Sequence, residues 1–131
     1  MGVELSGADL SDSSWIHAQL ASSKMMDVNL SGANLQAANL KEVDLSGSDL
    51  SRANLQQTNL RRAVMNNTIL TEANLSGSRM KHASLEGAEL YETDFSGAEV
   101  DGVVPKGFLS KYHAERANKI AKSLAIKALV E

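Results

Sequence analysis

Between Ser31 and Leu60 a leucine falls at every fifth residue: Leu35, Leu40, Leu45, Leu50, Leu55 and Leu60. Two residues before each stands something small or β-branched (Ala33, Ala38, Val43, Ser48, Ala53, Thr58), and immediately before each comes Asn or Asp. A period of five matches neither the 3.6-residue helix nor the two-residue strand. The pattern therefore predicts a solenoid whose unit is one short face of a coil.

The phase extends well beyond that stretch. From Leu5 to Val100 the fifth positions number twenty, of which fourteen are Leu and three are Met (Met25, Met65, Met80); the others are Trp15, Phe95 and Val100. The places two before them hold only Ala, Ser, Thr or Val. Nothing is inserted or deleted across the twenty units.

Units such as Ala8-Asp9-Leu10-Ser11, Ala33-Asn34-Leu35-Gln36 and Ala53-Asn54-Leu55-Gln56 resemble the A(D/N)LXX signature of pentapeptide-repeat proteins. The resemblance covers about three quarters of the chain. It implies an all-β solenoid, a right-handed quadrilateral parallel β-helix with four pentapeptides per coil and about five coils over residues 1–104. Steric reasoning agrees with it. A tight coil has room inside each face for one large and one small side chain, and a larger residue at the small place would overpack. Coils stacked about 4.8 Å apart would make a rod roughly 24 Å long. Gly7, Gly32, Gly47, Gly77, Gly87 and Gly97 all fall two after the central residue, where the chain must turn.

Residues twenty apart should then stack. One inward column is Trp15, Leu35, Leu55, Leu75 and Phe95, with its aromatic members placed to close the two ends. Asn34, Asn54 and Asn74 form another column, which suggests hydrogen-bonded amide ladders between coils.

Charge divides the chain. From Met1 to Val100 there are 7 Lys or Arg against 13 Asp or Glu, whereas Asp101 to Glu131 holds 6 basic and 3 acidic residues. The net charge of −3 argues against a general nucleic-acid binder, so no direct nucleic-acid partner is expected. No cysteine is present, which removes disulfides, thiol nucleophiles and thiolate zinc sites. A bacterial cytoplasmic protein is the expected setting, with a fragment of a secreted effector as the alternative. No apolar run approaches the roughly 20 residues of a membrane span.

Folding the sequence at twenty singles out one face. Lys41, Arg61 and Lys81 share a column, Arg62 and His82 share the next, and Arg79 lies beside them. Stacked like charges repel, and Glu42, Glu99 and Asp101 are the candidates to offset them. The two preceding faces are acidic, with Asp9, Asp12, Asp44, Asp49, Glu72 and Glu89 among their residues. Lys41, Arg61, Arg62, Arg79 and Lys81 are thus the candidate protein-binding face. Val64 and Ile69 replace the usual Asn or Asp in consecutive units and suggest a small apolar contact patch.

Pro105 should stop the solenoid, because it has no N–H for a ladder. Residues 105–131 read as an amphipathic helix, with Ser110 a candidate N-cap and Ala117, Ile120, Ala121, Leu124 and Ala128 on one stripe. Such a helix either caps the last coil or pairs with a second copy, as helical elements do in similar family members. Phe108 adds apolar surface to either arrangement. At the other end the repeat begins by Val3 with no capping element, so the chain reads as a candidate piece of a longer protein.

No catalytic chemistry is evident. There is no phosphate-cradling glycine loop and no HExxH, and His17, His82 and His113 lie far apart in sequence. No cofactor is implied. Two roles remain: a non-enzymatic interaction or scaffold module that presents charged faces to a protein partner, or a DNA mimic acting on DNA gyrase or topoisomerase IV, as some family members do. B-DNA carries one negative charge per about 1.7 Å, so a 24 Å mimic should show roughly 14. Here the 13 acidic residues of the repeat are accompanied by 7 basic ones gathered mostly on one face, which ranks mimicry second.

Overall fold

The computed structural model of the chain describes residues 2–108. Its logic is visible in one unit, Ala33 to Ala37, where every backbone N–H finds an acceptor. Ala33 N–H closes a turn onto Leu30 O at 3.0 Å. Asn34 N–H reaches back one coil to Ser13 O at 2.9 Å, while Leu35 N–H reaches forward to Asn54 O at 2.7 Å and Ala37 N–H to Gln56 O at 2.9 Å. That leaves Gln36 N–H, which the inter-coil ladder does not use; it donates to Asn34 Oδ1 at 3.1 Å. The preference for Asn or Asp before the central residue follows, since a short side-chain acceptor there satisfies the one remaining donor.

The same bond recurs along the chain, from Ser31 N–H to Asn29, Gln56 N–H to Asn54, Arg61 N–H to Asn59 and Ser76 N–H to Asn74. This corrects the expected amide ladder in the Asn34–Asn54–Asn74 column. Those amide oxygens are engaged locally in Asx turns, and stacking is carried by the backbone. An inter-coil amide bond does occur one face on, where Asn39 Nδ2 donates to Gln19 Oε1 at 3.2 Å.

Coils are joined by parallel single-residue bridges, running from Glu4↔Lys24 to Ser84↔Val104, each between residues twenty apart. The bridging residues themselves recur every five, so the chain passes four turns before it returns to the same column. Between bridges lie turns rather than long strands.

Inside, the central residues from Met25 to Met80 are fully enclosed, and Ala33, Ala38, Val43, Ala53, Ala63, Ala73 and Ala83 fill the small places between them. Leu5, Leu10 and Trp15 at one end and Leu90 and Val100 at the other are only partly covered, as expected where stacking stops. Small polar residues at the inner place need partners. Ser48 has two, donating from Oγ to Met25 O at 2.7 Å and accepting from Val28 N–H at 3.0 Å. Thr58 and Thr68 donate back to the preceding central carbonyl. Ser78, equally buried, has an Oγ with no partner among the described residues. Val64 and Ile69 are half-buried within the bridged columns, not an exposed patch.

Every corner residue two after a central position adopts a positive φ, whether glycine or not: Asp27 at 55° and Arg52 at 57° as much as Gly47 at 72°. Glycine is nonetheless placed with purpose. A Cβ added at Gly32, Gly47 or Gly87 would run into the side-chain oxygen of Asp12, Asp27 or Asn67, each twenty residues earlier. At these three corners the Asp or Asn side chain of one coil lies across the next, where glycine leaves it room.

The last bridge is Ser84↔Val104, and Pro105 follows. Phe108 N–H bonds to Pro105 O at 3.2 Å, and the Phe108 ring packs against Phe95. The expected helix stripe of Ala117, Ile120, Ala121, Leu124 and Ala128 lies outside the described residues.

Candidate protein-binding face

The face that carries the cations is built from the units centred on Leu20, Leu40, Leu60, Met80 and Val100. Backbone bonds fix its central column. Ser22 N–H donates to Lys41 O at 2.8 Å, Glu42 N–H to Arg61 O at 2.9 Å and Arg62 N–H to Lys81 O at 3.0 Å. Lys41, Arg61 and Lys81 therefore occupy the same place in three successive coils, about 4.8 Å apart at the backbone. Local Asx turns pin the chain at two of them, since Lys41 N–H donates to Asn39 Oδ1 and Arg61 N–H to Asn59 Oδ1, both at 3.2 Å.

Arg62 and His82 follow at the corner, both with positive φ. The imidazole of His82 lies against Gly102 of the next coil. Arg79 stands on the bridging column, between Asn59 and Glu99, in a place where an Asx acceptor would normally sit. Lys41, Arg62, Arg79 and Lys81 are exposed and Arg61 is half-buried. The five predicted residues thus fall on one side of the rod.

Glu42, Glu99 and Asp101 are near in the fold, yet among the described residues none of the five cations forms an ion pair. The acidic side differs, because many of its carboxylates are already occupied as turn acceptors. Asp9 takes Ser11 N–H at 3.1 Å and Ser11 Oγ at 2.8 Å, Asp49 takes the same two groups of Ser51 at 2.9 and 2.7 Å, and Asp44 those of Ser46. The hydroxyl of Ser11, followed by its N–H, holds the Asp9 carboxyl below the usual aspartate range. Ser6 does the same for Glu4. These carboxylates serve the fold first, whereas the cations of the opposite side have no such duty.

Among the described residues no cluster of His, Asp and Glu is arranged to hold a metal ion, and no helix is long and apolar enough to cross a membrane.

The stacked five-residue faces define a pentapeptide β-solenoid, and comparison with known proteins agrees. The model for Pentapeptide repeats matches residues 4–41, 29–67 and 68–104 in eight copies. The chain belongs to the pentapeptide-repeat family, whose members form right-handed quadrilateral β-helices. Among solved structures it is similar to alr5209, a pentapeptide repeat protein from Nostoc PCC 7120, at 40% identity and a TM-score of 0.57, over 57% of this chain and 62% of that one. It is also similar to the pentapeptide repeat protein Rfr23 from the cyanobacterium Cyanothece 51142, at 25% identity and a TM-score of 0.48, over 77% and 86% of the two chains. QnrB1, a plasmid-mediated fluoroquinolone resistance protein, matches at 19% identity with a TM-score of 0.34, over 88% of this chain and 65% of that one. A comparison with the curated proteins finds no match.

Proposed function

We propose that this chain is a non-enzymatic interaction module, a rigid rod of about five coils whose basic face engages an acidic surface of a protein partner. The observation that supports this reading is the column Lys41–Arg61–Lys81, with Arg62 and Arg79 beside it, held in register by backbone bonds and without ion pairs among the described residues. Like charges stacked on neighbouring strands destabilise a sheet by up to about 1 kcal/mol per pair. Keeping three in line without an ion pair among the described residues fits a surface that waits for an external anion. Electrostatic matching of this kind governs encounter rate and partner choice.

The test is quantitative affinity capture with the wild-type chain and with the Lys41→Glu/Arg61→Glu/Lys81→Glu variant, the fold being checked by circular dichroism. Loss of specific capture with the fold intact is the expected result. Unchanged capture would reduce the column to a solvated surface.

Gyrase or topoisomerase IV modulation by DNA mimicry is the second reading. It has the acidic faces in its favour, but the cation column breaks the even negative field that a mimic needs. Supercoiling inhibition or quinolone protection at micromolar protein would favour it over the first. A homodimer through residues 105–131 is compatible with either, and light scattering on the full chain and on a chain ending before Pro105 tests it.

A further inference from the structure

Beside the cation column lies a surface groove of about 450 Å³, within the range of ligand-sized sites. Its origin is a gap in the corner column that precedes the basic face. Ala37 and Gly77 leave that corner nearly bare on either side of Gln57, while Asn39, Asn59 and Arg79 form the opposite bank and Ala38 the floor. All of these columns cross three coils, so the groove runs along the rod for about 10 Å, enough for three residues of extended peptide at roughly 3.3 Å each.

Its lining has unspent hydrogen-bonding capacity. The amide oxygen of Asn59 is taken by Arg61 N–H, which leaves Nδ2 with no partner among the described residues. The Gln57 amide and the Arg79 guanidinium likewise have none there. Lys41, Arg61 and Lys81 stand two residues beyond the Asn39, Asn59 and Arg79 bank and bias the groove toward anions.

We propose that this groove binds a short, extended, acidic peptide segment of a partner protein, with a carboxylate seated on Arg79 and the peptide backbone met by the amides of Gln57 and Asn59. The inference rests on the interaction-module reading and gives it a docking point. Arg suits a carboxylate because its planar fork can bond both oxygens. A segment is favoured over nucleic acid on two grounds. Among the described residues the lining has no aromatic ring on which a base could stack. The positive column is also short, bounded in line by Ala21 on one side and Asp101 on the other.

The experiment is fluorescence anisotropy of a labelled octaglutamate peptide on the full chain in low salt, with octaglutamine as control. Ala37→Gln fills the groove without altering charge, and Gln57 shows that a corner at φ 57° accepts that residue. Saturable binding of octaglutamate only is expected, weakened about tenfold or more by Ala37→Gln and by Arg79→Gln, as for loss of a charge-assisted contact. Octaglutamate that binds both variants as well as wild type overturns the groove while leaving the basic-face reading intact. No binding of octaglutamate also overturns it, and affinity capture still decides the broader reading. A single-stranded oligonucleotide that outcompetes the peptide overturns the assignment to a protein segment.

Discussion

The ring of Phe108 meets Phe95 edge-on, with centroids 5.7 Å apart and planes at 78°. Phe95 ends the inward column Trp15–Leu35–Leu55–Leu75 and is still 7% exposed, so Phe108 covers the open end of that column. An edge-to-face pair contributes about 0.5–1.5 kcal/mol beyond the area it buries. Phe108→Ala should therefore lower stability by about 2 kcal/mol in urea denaturation, and Phe108→Leu, which keeps apolar cover, by about half as much. A Phe108→Leu chain as stable as the wild type would show that the ring geometry contributes nothing.

Asn54 illustrates a second dependence. Its side chain accepts Gln56 N–H at 3.0 Å and touches the one donor that the inter-coil ladder leaves over. Asn54→Ala should destabilise by about 1 kcal/mol, the net worth of one hydrogen bond. Asn54→Asp should be nearly neutral, because Asp49 makes the same bond to Ser51 N–H at 2.9 Å. Comparing the denaturation midpoints of the two variants checks this.

The leucine period made the inside of the rod legible without coordinates, because one large and one small residue per face is a strict packing demand. The roles of the polar residues were harder to read. An asparagine column at spacing twenty suits amide ladders and Asx turns equally; the choice depends on where the backbone leaves a free donor, which the pattern alone does not reveal. The pairing of Gly47 with Asp27, or Gly32 with Asp12, is present in the sequence at the same spacing, but it signifies contact only once the corner side chain is seen lying across the next coil. The groove arises from what Ala37 and Gly77 lack, and small residues announce themselves weakly. The cation column was legible, because its residues recur in phase; its lack of ion pairs among the described residues was not.

Ser48 and Ser78 occupy equivalent inner places with opposite bonding. Ser48→Ala strands Val28 N–H in the interior and should cost about 1–3 kcal/mol. Ser78→Ala removes a hydroxyl that bonds nothing among the described residues, so it should be neutral or raise the melting temperature. Thermal denaturation of both variants would refute the assignment if Ser78→Ala proved the more damaging.

Asp9 gives a pH signature. Its carboxyl is held below the ordinary value by Ser11, chiefly the hydroxyl and then the N–H. A folded-state value below the unfolded one means that the stabilisation is fully present above the ordinary aspartate range and is lost as pH falls through the folded value. Carboxyl NMR titration should place Asp9 low in the wild-type chain and closer to normal in Ser11→Ala. An unchanged titration in that variant would remove Ser11 as the cause.

The central claim is that partner recognition belongs to the cation column and not to the carboxylates, many of which serve the turns. Affinity capture with two matched charge reversals tests it most directly, one on the basic face (Lys41→Glu/Arg61→Glu/Lys81→Glu) and one on the acidic side (Asp12→Lys/Glu72→Lys/Glu89→Lys), with circular dichroism confirming both folds. The account predicts that the first reversal abolishes specific capture and the second leaves it in place. Capture lost on acidic reversal and retained on basic reversal would contradict it.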